Sequence, residues 1–316
     1  MPITAQTDPE FQFKGVEAPA AEPADELGPL AQLVGEDGKG EWVGEGFNTI
    51  WRPHALAGSG QDRFLELNLT SEKLIFNRIK GQIPNRGLLM PDINMFGLTY
   101  LQEIEGTDPK EGLHIEPGIW INVPPTTNPA LPATVVRMAS IPHGTTILAQ
   151  GTGKEIEAGP HIGENNIIPF QIGSPSPPNS AFASAEAIFT ELNLATPTEF
   201  RQKSAAVTQE MVENPNSALQ KAVAGQNITK TTVLAISTTH SPIAGGGTAN
   251  TAFLEAASSP PGGNADAVEV DAIFWIETVT QAGYPDKLQL QYTQLVQLDF
   301  NGLRWPHVTV ATLHKS

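Results

Sequence analysis

The triplet His114-Ile115-Glu116 sets an imidazole and a carboxylate two residues apart. On an extended chain that spacing puts both side chains on one face, and Trp120 continues the same parity. A carboxylate beside an imidazole raises its basicity. Such a pair can perform acid–base work or bind a metal, and it can equally be a hydrogen-bonded pair facing solvent. His143, in Pro142-His143-Gly144, falls in a turn between two strand-like runs and is a further ligand or acid–base candidate. His307 follows Pro306 at the start of a strand-like run and shares its parity with Trp305 and Thr309. An aromatic ring and an imidazole are therefore expected to face one side together, with His307 as either a metal ligand or a partly exposed residue at a rim. His161 and His240 sit near prolines and read as loop residues.

The segment Ile83 to Phe96, IPNRGLLMPDINMF, is punctuated by Pro and Gly yet apolar enough to be buried, which is costly unless its backbone groups find partners. Two readings follow. Arg86 can pair with a ligand carboxylate while Met90, Met95 and Phe96 wall a pocket, or the segment is a long connection packed over one end of the fold. Enzyme signatures are missing: there is no Gly-x-Ser-x-Gly elbow, no His-Glu-x-x-His and no Gly-x-x-x-x-Gly-Lys. Gly151-Thr152-Gly153-Lys154 and Gly245-Gly246-Gly247 lack the strand-then-helix setting of phosphate loops and read as turns.

These candidates belong to a chain of 316 residues with 34 acidic and 18 basic side chains, a net charge of −16. So acidic a surface repels phosphate backbones and anionic headgroups, and no cluster of Lys or Arg offsets it, so neither nucleic acid nor a membrane surface is expected as a partner. With no cysteine, disulfides, thiolate metal sites and thiol nucleophiles are excluded. No run approaches a membrane span and the first thirty residues lack a signal-peptide pattern, so the expectation is a soluble, cytoplasmic protein.

The residues that position the candidates are mostly strand formers. Residues 1–26, rich in Pro, Ala and acid, read as a flexible tail. From residue 27 to 316, about a dozen short runs alternate with period two, which is the pattern of half-buried antiparallel strands. Leu288, Leu290, Tyr292, Val296, Leu298 and Phe300 share one parity, broken near Gln294 and Leu295 as if by a bulge. Asn301-Gly302 then signals a two-residue hairpin. Residues 196–225 stand apart: Thr196-Pro197-Thr198-Glu199 is a capping box and Asn214-Pro215-Asn216-Ser217 a second helix start, so a two-helix insertion is expected. Phe64 to Leu69 echoes Phe189 to Leu194, and Ile119 to Val123 echoes Phe274 to Val279, which leaves an internal pseudo-repeat open. Many short antiparallel strands need closure or a second sheet to remove their edges. The expected fold is all-β, an antiparallel lipocalin-like β-barrel forming a single domain with a helical insertion.

Gly40-Glu41-Trp42-Val43-Gly44-Glu45-Gly46 resembles the Gly-x-Trp opening of lipocalin-type barrels, and more narrowly the opening of nitrobindin-like haem-binding barrels. The C-terminal run Trp305 to Lys315 resembles the last nitrobindin strand, which carries the axial haem histidine. By position that role falls on His307. The resemblance spans about thirty residues at the two ends of a chain about twice as long as a nitrobindin domain. It implies a barrel binding a small hydrophobic ligand in its lumen, with haem as the cofactor, His307 on the iron, and Trp305, Trp42, Arg86, Met90, Met95 and Phe96 around the ligand. Two alternatives stand beside this. One is an enzyme using the lumen as its active site, either haem-dependent with peroxide or nitric oxide chemistry, or a cofactor-free isomerase or cyclase with His114, Glu116 or His143 as the acid–base group. The other is an interaction protein with a filled lumen.

Overall fold

Alternating patterns give strands β1 (Lys39–Pro53), β2 (Arg63–Arg78), β3 (Ile83–Asn85), β4 (Ile93–Gly106) and β5 (Gly112–Val123) in the first third of the chain. Next come β6 (Thr126–Thr127), β7 (Ala130–Leu131), β8 (Thr134–Ile141), β9 (Thr145–Ile156) and β10 (Phe170–Gln171). The last third contributes β11 (Ile228–Ser237), β12 (Gly246–Asn250), β13 (Asp266–Val279), β14 (Lys287–Phe300) and β15 (Leu303–Lys315). This is a computed structural model describing residues 24–54, 62–174, 182–198, 200–201, 204–255 and 264–316. Residues 1–23 of the expected tail lie outside the described residues.

Ten strands pair antiparallel in the order β1-β2-β4-β5-β8-β9-β11-β13-β14-β15, and β1 pairs β15 from Trp42 opposite Lys315 to Thr49 opposite Val308. The two ends of the chain thus close a barrel, and the expected all-β, antiparallel barrel with few helices is what forms. Asn301 and Gly302 take φ of 49° and 75°, the left-handed pair that a two-residue hairpin needs between β14 and β15. Strand β14 runs through Gln294 and Leu295 without a bulge, its register against β13 and β15 unbroken there. The pseudo-repeat does not hold for its first echo: Phe64 to Leu69 lies in β2, whereas Phe189 to Leu194 contains a 3-10 turn, Thr190–Leu192.

One barrel end is plugged. A 3-10 segment, Ala24–Leu33, kinks at Gly28 (φ 52°) and buries Leu27, Leu30 and Leu33 there. Residues 24–26 therefore belong to the plug rather than to the tail, with Glu26 paired to Arg78 at 3.3 Å. The Trp42 indole N–H donates to the Leu33 carbonyl at 2.9 Å. Gly151 and Gly153 lie within β9, not in a turn; a Cβ on Gly153 would sit 2.4 Å from Pro29, so the missing side chain is what admits the plug. Trp42, Leu74, Phe76, Leu98 and Trp120 fill the lumen beneath.

The C-terminal part of the insertion packs on the outside of β14 and β15, and the segment between β9 and β10 packs on β1. Trp51 donates its indole N–H to the Ile167 carbonyl at 2.9 Å, and Gln291 donates to the Leu219 carbonyl at 3.2 Å. Four short helices appear among the described residues: α1 (Phe182–Glu186), α2 (Gln209–Glu213), α3 (Ser217–Val223) and α4 (Ala252–Glu255), of which α2 and α3 form the expected pair. The first of that pair does not begin at Thr196. Arg201 donates to the carbonyls of Glu191, Asn193 and Thr196, which folds that stretch back on itself, and helix starts only at Gln209, capped by Thr208.

Candidate functional site

Side chains bonded across the lumen divide the barrel in two. Tyr292 on β14 donates its hydroxyl to Glu72 on β2, and Gln102 on β4 donates to the Tyr292 oxygen at 2.9 Å. Thr70 donates to the other Glu72 oxygen at 2.8 Å. Beside this, Arg137 on β8 donates to Glu116 on β5, to the Tyr100 oxygen at 2.8 Å and to the Gln294 side-chain carbonyl on β14 at 2.6 Å. Tyr100 in turn donates to Glu116, and the other Glu116 oxygen lies 3.2 Å from His114 Nε2.

Burial drives the two carboxylates apart. Desolvation pushes Glu72 up to about 6 against the hydrogen bonds from Tyr292, Thr70 and Gln102. Burial also opposes ionisation of Glu116, but the Arg137 charge, followed by the His114 and Tyr100 contacts, outweighs it and holds Glu116 at about 2. Glu116 is accordingly an ionised structural partner of Arg137, which is itself held firmly protonated by that carboxylate.

Above this brace, toward the end away from the plug, lies an open cavity of ≈1090 Å³. Asn48, Asn68, Gln102, Gln294, His307 and Thr309 give it a polar side. Ile104, Ala267, Val270, Val296 and Leu298 give it an apolar one. Asn48 donates its amide to Thr309 Oγ1 at 2.8 Å and lies 2.7 Å from His307 Nε2, so that ring nitrogen is the acceptor. Burial, with smaller contributions from His114 and His143, pushes His307 down to about 3, which leaves a neutral imidazole in the lumen at neutral pH. At the mouth the His143 and His114 rings lie 5.4 Å apart, and desolvation followed by the His114 charge lowers His143. Phe200 stacks on Phe64 at 4.5 Å and roofs part of the opening.

The structure brings His307, His114 and His143 to this cavity, with Glu116 directly behind His114. It does not bring the other expected residues there. Trp305 does not share a lining face with His307, because the β1–β15 ladder ends at Thr49/Val308 and β10 takes over beyond it. In that gap the Trp305 ring packs on Trp51, Phe189 and Phe300 and donates to the Phe300 carbonyl. Trp42 belongs to the plugged end. Arg86, Met90, Met95 and Phe96 belong to a hairpin in which β3 pairs β4. It springs from the plugged end, where Ile79 N–H meets the Gly97 carbonyl, and Arg86 is exposed and paired with Asp92 at 2.8 Å.

Several lumen residues escaped the sequence reading: Asn48, Glu72, Gln102, Arg137 and Gln294. Each sits at an inward parity of a strand, and the signal was polarity where the pattern demanded an apolar residue. Gln294, taken for a bulge, is the plainest case.

No protein-family profile matches the chain, and no curated protein matches it. Among solved structures it is similar to Rv2717c from M. tuberculosis, at 13% identity over 94% of this chain and 99% of that one, with a TM-score of 0.41. No helix among the described residues is long and apolar enough to cross a membrane.

Proposed function

We propose that the chain binds a small, largely apolar molecule in the open half of its lumen, and that this molecule is haem held through His307. The observation that carries the reading is His307 itself, a neutral imidazole facing a cavity of ≈1090 Å³. That volume is at the upper end of ordinary ligand sites, roughly 300–1,000 Å³. Among the described residues no three His, Asp or Glu are grouped to hold a metal ion. A metal at His307 must then bring most of its own ligands, as porphyrin iron does. His307 Nε2 would exchange its contact with Asn48 for the iron, while Asn48 keeps Thr309 as a partner. The apolar side formed by Val270, Val296 and Leu298 suits a macrocycle face. The nitrobindin-like segments at the two chain ends add support, because they form β1 and β15, which are neighbours in the barrel.

When bound, haem iron supplies exchangeable coordination of small diatomic ligands and peroxides. The chain's own part is to present a neutral imidazole to the lumen, with Phe200, stacked on Phe64, roofing part of the opening. Titration with hemin is expected to give a sharp Soret band that shifts or disappears in His307→Ala, with the thermal midpoint of the apoprotein little changed. A flat titration of the wild type, or an identical band in the variant, excludes this assignment.

A further inference from the structure

The chain carries a net charge of −16, yet its lumen gathers basic groups: three of its seven histidines, His114, His143 and His307, line the cavity together with Arg52 and Arg201. The acids in the lining are Glu66, which pairs with Arg52 at 2.7 Å, and Asp108 and Glu111, both exposed. His114 and His143 lie side by side at the mouth, 5.4 Å between centroids. Glu116 lies 3.2 Å from the His114 ring and is itself bound by Arg137, buried beside it. Facing them across the lumen is the apolar surface of β13 and β14.

We propose that the lumen takes an amphipathic carboxylic acid, its carboxylate seated on the His114–His143 pair at the mouth and its apolar body along Ile104, Val270, Val296 and Leu298. The orientation follows from desolvation: His143 is exposed, so a carboxylate there keeps part of its hydration while the apolar body leaves water entirely. The carboxylate is held there by charge-assisted hydrogen bonds from the two rings. This deepens the reading of the lumen as a ligand site and rests on it. A chain acid and the propionates of a porphyrin present the same carboxylate, so the test separates them.

Binding of dodecanoate and dodecanol is measured by calorimetry, alongside hemin, protoporphyrin IX and its dimethyl ester, on the whole chain. The comparison is repeated on His143→Gln and on the double variant His114→Gln/His143→Gln, each checked for an unchanged thermal midpoint. The proposal expects each acid to bind at least about tenfold tighter than its uncharged counterpart, with that preference lost in the double variant. Preference within the dodecyl pair identifies a chain acid as the source, and preference confined to the porphyrin pair identifies the propionates. If acid and neutral partner bind equally, the carboxylate site is wrong while the lumen reading stands. If no probe binds, hemin included, both fail together.

Discussion

The two halves of this barrel are made from the same ten strands and differ in what the inward positions hold. In the plugged half those positions carry Trp42, Leu74, Phe76, Leu98 and Trp120, closed by Leu27, Leu30 and Leu33. In the open half the same parities carry Asn48, Asn68, Gln102, Gln294 and His307 around a cavity. Packed apolar side chains are concentrated at one end and polar ones at the other. The boundary between them is the brace formed by Glu72, Tyr292, Arg137 and Glu116.

Cutting the brace should have the largest effect. Arg137→Met leaves Glu116 as an uncompensated buried charge, and about 3–5 kcal/mol of stability should be lost in urea unfolding. A loss below 1 kcal/mol would mean that the halves are not held together in this way. Next comes a paired comparison across the boundary. Leu30→Ala, in the plug, should lower stability by about 3 kcal/mol. Val296→Phe, in the open half, should change it by less than about 1 kcal/mol because the added ring enters existing space, while weakening hemin binding. Equal stability losses from the two would erase the distinction.

A further effect is a pH dependence. Glu72 has a folded value near 6 against an ordinary 4.5, so the folded state binds its proton more tightly than the unfolded state does. Its contribution is present at low pH and lost as pH rises from about 4.5 to about 6, amounting to about 2 kcal/mol. Glu116, held at about 2, acts in the opposite sense and loses its contribution as pH falls below 4.5. Unfolding curves of Glu72→Gln should lack the upper slope and keep the lower one.

How much of this was legible depended on which half is considered. The plugged half follows the alternation rule, so the strands and the Asn301-Gly302 hairpin could be read directly. The open half breaks the rule by design: a polar residue at an inward parity looks like a bulge or a slipped strand until its cross-lumen partner is known. Gln294 meets Arg137 from 157 positions away in the chain, and Tyr292 meets Glu72 across 220. His307, His114 and His143 were legible as isolated candidates because histidine is scarce here, but their convergence on one cavity depends on strand order. Trp305 was misjudged for a related reason. Parity assigns a face only while the neighbouring strand stays paired, and β15 leaves β1 just before that residue.

The most direct test is an NMR comparison of methyl resonances with and without ferric hemin, whose unpaired electrons broaden nearby signals. The account predicts broadening of Val270, Val296 and Leu298 at one equivalent, with Leu27, Leu30 and Leu33 in the plug left sharp. Broadening that spares the open-half methyls, or that falls on both halves alike, would contradict a ligand site in the open lumen.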